Sequence, residues 1–427
     1  MIYISNSKPS FTPSSSPNLS DSTSLEAPCS AESGAMPDRR PYRGQAQDKE
    51  AVRAFLAQPL DLGYRRLLPN RLALAPLAGF TDQFFREICQ EYGAGLGVTE
   101  LASARSLRFQ GNLGKTYRYL ATSPREGRTS LQLFGEEAAD FRQALHLILQ
   151  DSRLTQPPQN MEMPEPGRET EGQKTITFKD PAGLKAQKGD VFFKPFMIDI
   201  NMGCPAPKVQ KTGSGAALMK DIPRAKAIVR ETVQTLHEYY EETGFPCPVS
   251  VKYRLGPTEG NICVEEFTEA MTEAGAAFLA IHARTTEAGF SGRAAWEKVA
   301  GCRKWTQLPI YINGDIRDLA SAGEALVASA CDGVMIGRAA VHDPWLFASL
   351  LDPDFVVTGA LRKKLMIRHL EGLLTVKEER VAVREFRSVL TVYLKGTSQA
   401  KRARASLMEI SEAKALKAAI EALPLEE

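Results

Sequence analysis

The sequence predicts a (β/α)8 TIM barrel followed by a small all-α helical bundle. Three observations predict it. From about Arg71, short apolar runs, partly β-branched, alternate with amphipathic stretches eight times. The alternation spans roughly 275 residues, which suits a barrel of this kind. After Pro344-Trp345 the strand-like runs stop, and apolar residues recur only at helical spacing. A doubly wound open sheet is the alternative reading of the same alternation.

The strand candidates, in order, are Leu72–Leu77, Leu96–Glu100, Ser130–Phe134, Met197–Asn201, Val249–Tyr253, Phe278–His282, Ile310–Asn313 and Gly333–Ile336. Each is apolar and bounded by Gly, Pro or Asp, as buried parallel strands are. Helices are expected at Phe84–Tyr92, behind a Thr81-Asp82 cap, and at Glu136–Gln150, Ile222–Tyr239, Val264–Ala274 and Ala320–Ala328. The gap after the third strand is too long for one helix. Its residues 155–195 carry Pro157-Pro158, Pro164, Pro166 and many charges, and read as a polar surface insertion.

Three domains are therefore expected: a largely disordered N-terminal extension over 1–65, a barrel over 66–350 and a helical domain over 355–427. In the last, Met366, Leu370, Leu373 and Leu374 share one face, and Val383, Phe386, Leu390 and Leu394 another. Ser411 is placed to cap a final helix bearing Leu416, Ile420 and Leu423. Residues 1–40 are rich in Ser and Pro, too poor in large apolar groups to offset ordering entropy. Either a weak transit peptide or a true start at Met36 would account for them.

At 427 residues with 43 % hydrophobic and 24 % charged residues, the composition excludes wholesale disorder, collagen and a disulfide miniprotein. The net charge of +2 does not announce a nucleic-acid partner, so any such partner must be held by a local patch. One exists: residues 360–427 hold 14 Lys/Arg against 9 Asp/Glu. Arg380, Arg384 and Arg387 fall at i, i+4 and i+7, so one helix face is basic, either a solvated face or a nucleic-acid contact. The seven cysteines form no CxxC pair and no zinc-ligand spacing with histidine, so no metal is expected. Reduced thiols and the lack of a long apolar run suggest a cytoplasmic protein.

In a barrel of this kind, chemistry gathers at the C-terminal strand ends. Here nearly every end delivers a polar group: Glu100, Gln132, Asn201, Lys252 with Arg254, His282 with Arg284 and Thr285, Asn313-Gly314-Asp315, and Gly337-Arg338. Buried polar groups need partners, so this convergence points to a site rather than to a structural barrel. The last two ends suit a phosphate, because close glycine backbone and a cation favour a dianion. Lys252 inside the mouth calls for an anionic partner such as a reduced flavin, and His282 is placed to donate to the same ring. Gly314 and Gly337 also read as plain turn residues, and His282 as a satisfied core residue. Gly213-Ser214-Gly215 is not a dinucleotide fingerprint, since Leu218 occupies the third glycine position; it reads as a turn into the next helix. Cys204, between Gly203 and Pro205 just beyond a strand end, is either an inert hydrophobe or a reactive group. A thiol that is mostly protonated at neutral pH suits proton donation.

Taken together, Ala75-Pro76-Leu77-Ala78-Gly79-Phe80-Thr81-Asp82, Leu131-Gln132-Leu133-Phe134-Gly135, the run DINMGCPAPKV from Asp199, GSGAAL from Gly213, His282-Ala283-Arg284-Thr285, Asn313-Gly314-Asp315-Ile316 and DGVMIGR from Asp332 resemble the tRNA-dihydrouridine synthases. The resemblance covers about residues 70 to 420. It implies an FMN-binding TIM barrel with a tRNA-holding helical domain. It implies reduction of uridines in tRNA to 5,6-dihydrouridine with NADPH as reductant. By matching position it makes Cys204 the acid at uracil C5. It makes Pro76, Leu77, Gln132, Lys252 and His282 contacts of the flavin ring. Asn313, Gly314, Asp315, Gly337 and Arg338 take the ribityl and phosphate end. Asn201 becomes a uracil contact, and Arg254, Arg284 and Thr285 line the mouth. The resemblance also favours RNA for the Arg380, Arg384 and Arg387 face, with Lys208 and Lys211 near phosphate. Phe290 departs from the family, where a tyrosine is common. The extension and the insertion lie outside the family core. Two other readings share parts of this pattern: an FMN barrel oxidoreductase of a free pyrimidine, and a non-catalytic RNA-binding barrel protein.

Overall fold

The computed structural model describes residues 41–63, 66–108, 119–122, 125–150, 154–155, 192–193, 195–394, 397 and 400–425. The expectations for residues 1–40 and for most of the 155–195 insertion lie outside these residues.

Eight parallel strands form the barrel: β1 (Leu72–Leu74), β2 (Gly97–Val98), β3 (Thr129–Phe134), β4 (Met197–Met202), β5 (Val249–Arg254), β6 (Phe278–His282), β7 (Ile310–Asn313) and β8 (Gly333–Ile336). They pair in the order β1-β8-β7-β6-β5-β4-β3-β2. A parallel bridge between Ala73 and Leu96 joins the two ends, with Leu74 N–H donating to the Leu96 carbonyl at 2.8 Å. The barrel is thus closed, and the open-sheet alternative is set aside.

Alternation along the strands sorts their side chains. One set, including Leu131, Leu133, Ile198, Ile200, Val251, Ile281 and Ile312, packs in the main core with the surrounding helices. The other set builds the interior in two levels. Met197, Phe278, Ala280, Tyr311 and Met335 form an apolar floor, and polar residues stand above it. The register aligns those polar residues across strands: Gln132 opposite Asp199, Asp199 opposite Ser250, Asn201 opposite Lys252, Arg254 opposite His282, and His282 opposite Asn313.

Residues 41–63 differ from the expected disordered extension. Asp48 caps α1 (Lys49–Leu56), whose Val52, Phe55 and Leu56 are buried. An antiparallel pair, Leu60–Asp61 with Leu67–Leu68, follows. It adds Leu60 and Leu68 to the apolar floor. Buried apolar residues at helical and strand spacing make this segment part of the fold.

Among the described residues the longer helices around the strands are α2 (Gln83–Glu91), α3 (Ala138–Gln150), α4 (Ile222–Thr243), α5 (Val264–Glu273) and α6 (Leu319–Ser329). Their ends carry their own signals. The Asp82 carboxylate accepts from Phe84 and Phe85 N–H. Asp318 and Ser321 form a capping box on α6. Gly244 ends α4 at φ 65°, a left-handed turn that glycine adopts without strain. Arg86 of α2 is fully buried and pairs twice with Glu126 at 2.8 Å, while also donating to the Thr81 and Ala121 carbonyls.

The helical domain contains α7 (Gly359–Val376), α8 (Glu379–Tyr393), α9 (Ala400–Glu409) and α10 (Ala413–Glu421). Its core joins Leu365, Met366, Leu370, Phe386, Leu390, Leu416 and Ile420 to Ile88 of α2, so it packs directly on the barrel. Ser411 does not cap α10 as expected. Glu412 occupies the cap position without a side-chain bond. The Ala413 N–H is satisfied instead by Glu379 of α8 at 2.7 Å. Among the described residues no helix is long and apolar enough to cross a membrane.

Candidate active site

The C-terminal strand ends open into one cavity of about 970 Å³. The β1 exit brings Pro76 and Leu77 to its wall, and the β4 exit brings Asn201 and Cys204. β5 contributes Lys252 and Arg254, and β6 contributes His282. The β7 exit adds Asn313, Gly314 and Asp315; the β8 exit adds Gly337 and Arg338. Residues over 250 positions apart in the chain meet here because every parallel strand runs toward the same rim.

The interior is electropositive. Lys252 Nζ donates to Asn313 Oδ1 at 3.1 Å, an amide oxygen rather than a carboxylate. Burial first, then the neighbouring Arg254 charge, pushes its ammonium down to about 8, against the pull of Asp199 and Cys204. Burial and the charges of Lys252, Arg254, Arg284 and Arg338 hold His282 well below its ordinary value. His282 is therefore neutral at pH 7. Arg284 lies 3.3 Å from its Nε2, and a guanidinium can only donate, so the imidazole hydrogen sits on Nδ1. Arg254 is pinned by three carbonyls, those of Gly203, Thr285 and Gly289, at 2.7–2.9 Å.

At the β7 exit, Asp315 has φ 56° and follows Gly314 at φ 118°. A non-glycine residue in that region is strained and must be held. Arg284 holds it at 2.5 and 2.7 Å, Ala294 N–H at 2.8 Å and Arg338 at 3.2 Å. Arg338 also stands 5.1 Å over the half-exposed Phe290 ring.

The Cys204 loop is braced from two sides. Asn201 Oδ1 accepts from Cys204 N–H at 2.9 Å and from Gly203 N–H at 3.2 Å. The Cys204 carbonyl accepts from Ala216 N–H at 3.1 Å. Gly215, at φ 61°, lies so close that a Cβ there would meet Val209 at 2.8 Å and the Cys204 carbonyl at 3.0 Å. The glycine-rich run expected to be a plain turn is thus the backing of the cysteine loop.

Some expected residues lie elsewhere. Gln132, Arg284 and Thr285 are buried and do not line the cavity. Lys208 and Lys211 are exposed beyond the cysteine loop, and Arg380 and Arg384 are exposed on α8. Arg387 departs from their shared face. It is partly buried, and its guanidinium donates to the Ile410 carbonyl. Unforeseen at the cavity wall are Trp345 and Arg362, the latter from α7. Arg362 stacks 4.9 Å over the Trp345 ring. No spacing rule links a domain's helix to a rim that precedes it. Asp199 stands two residues before Asn201, an offset that places both side chains on the inner face.

A closed (β/α)8 barrel with a deep, cationic, thiol-bearing cavity at its C-terminal rim defines a barrel enzyme. The family model "Dihydrouridine synthase (Dus)" matches residues 73–152 and 187–426. The chain is 30 % identical over 331 residues to a probable tRNA-dihydrouridine synthase of Rhizobium leguminosarum bv. phaseoli, covering 76 % of this chain and 85 % of that one. It is 28 % identical over 353 residues to a probable tRNA-dihydrouridine synthase of Aquifex aeolicus, covering 82 % and 95 %. It is 30 % identical over 313 residues to tRNA-dihydrouridine synthase B of Pasteurella multocida, covering 72 % and 78 %. The chain belongs to the dihydrouridine synthase family.

Proposed function

We propose that the protein reduces uridines of tRNA to 5,6-dihydrouridine, with FMN as bound cofactor and NADPH as reductant. One observation carries the proposal. Cys204 shares a cavity wall with Lys252, His282 and Arg338, in a chain whose relatives are named tRNA-dihydrouridine synthases. Under this reading the enzyme works in the cytoplasm, where tRNA is matured.

The residues present fit FMN. Lys252 is a half-buried cation whose hydrogen-bond partner is neutral, so an anionic ring offsets its desolvation. Gly337 faces the cavity, and a Cβ there would come within 3.6–4.0 Å of Ala75 and Leu77, narrowing the space beside Arg338. When bound and reduced, FMN supplies the hydride for uracil C6.

The chain's own groups do the rest. The Cys204 thiol gives its proton to C5, so that the C5–C6 double bond becomes single with one hydrogen added at each carbon. Asn201 and Arg254 place dipole and charge where the uracil carbonyl gains electron density. His282, neutral with its hydrogen on Nδ1, contributes a ring that neither repels the nearby cations nor competes as an acid. Arg380 and Arg384 on α8, with Lys208 and Lys211, offer phosphate contacts that orient a structured RNA. The target base must leave its stack to reach the cavity.

The test is direct. Purified protein should carry a yellow chromophore released as FMN, oxidise NADPH, and form dihydrouridine in tRNA from cells lacking the gene. Colourless protein that binds no FMN, or flavoprotein that leaves that tRNA unreduced, sinks the proposal.

A further inference from the structure

Four polar side chains form an unbroken row beneath the cysteine loop. Asp199 Oδ1 accepts from the Ser250 hydroxyl at 2.6 Å, and Oδ2 accepts from Gln132 Nε2 at 2.7 Å. Gln132 Oε1 accepts from Asn201 Nδ2 at 2.9 Å. Asn201 Oδ1 accepts from the Cys204 and Gly203 N–H groups. Gln132 has no exposed surface, and Asp199 and Asn201 are also buried.

The polarity of this row follows from its two ends. Backbone N–H groups can only donate, so Asn201 must turn its oxygen to the loop. Its NH2 then faces Gln132, which must answer with its own oxygen. The Gln132 NH2 is left facing Asp199, and a carboxylate is the group that can only accept. Burial pushes the Asp199 acid upward, while Ser250, Gln132 and the Lys252 charge act to keep it ionised. Both ends thus enforce one orientation of two amides.

A valence count gives the consequence. Asn201 Oδ1 takes two N–H groups and is saturated. Nδ2 has two hydrogens and spends one on Gln132. Asn201 lines the cavity, so what it has left for a ligand is one N–H.

We propose that Asp199 is a positioning residue that, through Gln132, locks Asn201 as a hydrogen-bond donor toward the cavity. That edge of the site then takes a ring carbonyl, as in uracil, and rejects an amino group, as in cytosine. This rests on the proposed uridine reading. It adds to it a residue, Asp199, that touches neither base nor flavin.

The experiment exchanges the polarity. Asn201→Asp places carboxylates on both sides of the single Gln132 amide, so one always faces an oxygen. This variant is expected to melt about 5 °C lower and to retain flavin about tenfold more weakly. Adding Asp199→Asn lets Gln132 reverse, so that its oxygen meets the new amide and its NH2 meets Asp at 201. The double variant is expected to recover most of the melting temperature and to bind flavin within about threefold of wild type. It now offers the cavity an acceptor, so its dihydrouridine formation should stay down about a hundredfold or more.

A double variant no better than Asn201→Asp in melting and flavin retention overturns the relay. A double variant that forms dihydrouridine near the wild-type rate overturns the donor role. If wild type forms no dihydrouridine, the uridine reading falls, while the melting series still decides the relay.

Discussion

His369 of α7 and Asp82 at the start of α2 lie 287 positions apart, and the imidazole Nε2 sits 3.2 Å from the carboxylate Oδ2. The other Asp82 oxygen caps α2 at 2.9 Å. The other imidazole nitrogen meets the Tyr393 hydroxyl at 2.9 Å. One buried histidine therefore ties the helical domain to the segment that leaves the rim at Pro76 and Leu77. His369→Ala is expected to cost about 3 kcal/mol, from a cavity and an unpaired hydroxyl together. Urea unfolding measures it. A change under about 0.5 kcal/mol would mean that the tie holds nothing.

The same pair makes an acid-side prediction. Burial raises the Asp82 carboxyl, but the His369 charge and hydrogen bond, the Phe85 N–H and Lys377 outweigh it and bring the group to about 2. Its folded value lies below its unfolded one. The stabilisation is thus complete above about pH 4 and is lost as pH falls toward 2. Asp82→Asn should flatten the melting-temperature profile across that window relative to wild type.

Lys252 has the opposite sign. Its folded value, about 8, lies below the unfolded value of ~10.5. Burying its charge costs stability below pH 8, and the cost is relieved as pH climbs from 8 toward 10.5. The unliganded protein should gain melting temperature across that range, and Lys252→Met should lack the gain. Flavin affinity should fall in wild type as pH passes 8, and should be weak and flat in the variant. Fluorescence quenching titrations at pH 7 and 9 decide it.

Cys204→Ala removes the proposed proton donor without touching Lys252, His282 or Arg338. The variant should keep its flavin and its NADPH oxidation. Dihydrouridine formation should fall by about 100-fold or more, the range expected for a lost general acid. An unchanged yield in single-turnover assays would remove Cys204 from the mechanism.

Gly323 of α6 faces the N-terminal segment. A Cβ there would meet the Ala46 carbonyl at 2.7 Å and Val52 at 3.0 Å. A backbone carbonyl cannot swing aside, so Gly323→Ala must displace α1. About 1–3 kcal/mol of destabilisation is expected, with faster proteolysis before Leu60.

The later strands are legible as short, nearly continuous apolar runs, because their inward and outward residues both had to be buried. The first two came out shorter for local reasons. Ala75 N–H still donates to Ile336 at 2.8 Å, but Pro76 has no N–H with which to continue the ladder. The Thr99 hydroxyl accepts the Gln132 N–H at 2.9 Å and donates to the Glu100 carbonyl, drawing the chain out of strand geometry. Motif positions located the rim residues. They did not tell where each side chain spends its hydrogen bonds. Arg254 and Arg284 look alike as strand-end cations, yet one lines the cavity pinned by carbonyls and the other is buried against Asp315. The Glu379 cap on α10 and the His369–Asp82 contact join residues that no local pattern connects.

The N-terminal segment changes what counts as the whole. The family match begins at residue 73, yet the barrel floor under Phe278 and Tyr311 is finished by Leu60 and Leu68, and the groove beside Gly323 is filled by α1. A chain trimmed at the border of the match would leave greasy surface bare to water at its base. The stretch that is inherited and the stretch that must fold together have different edges.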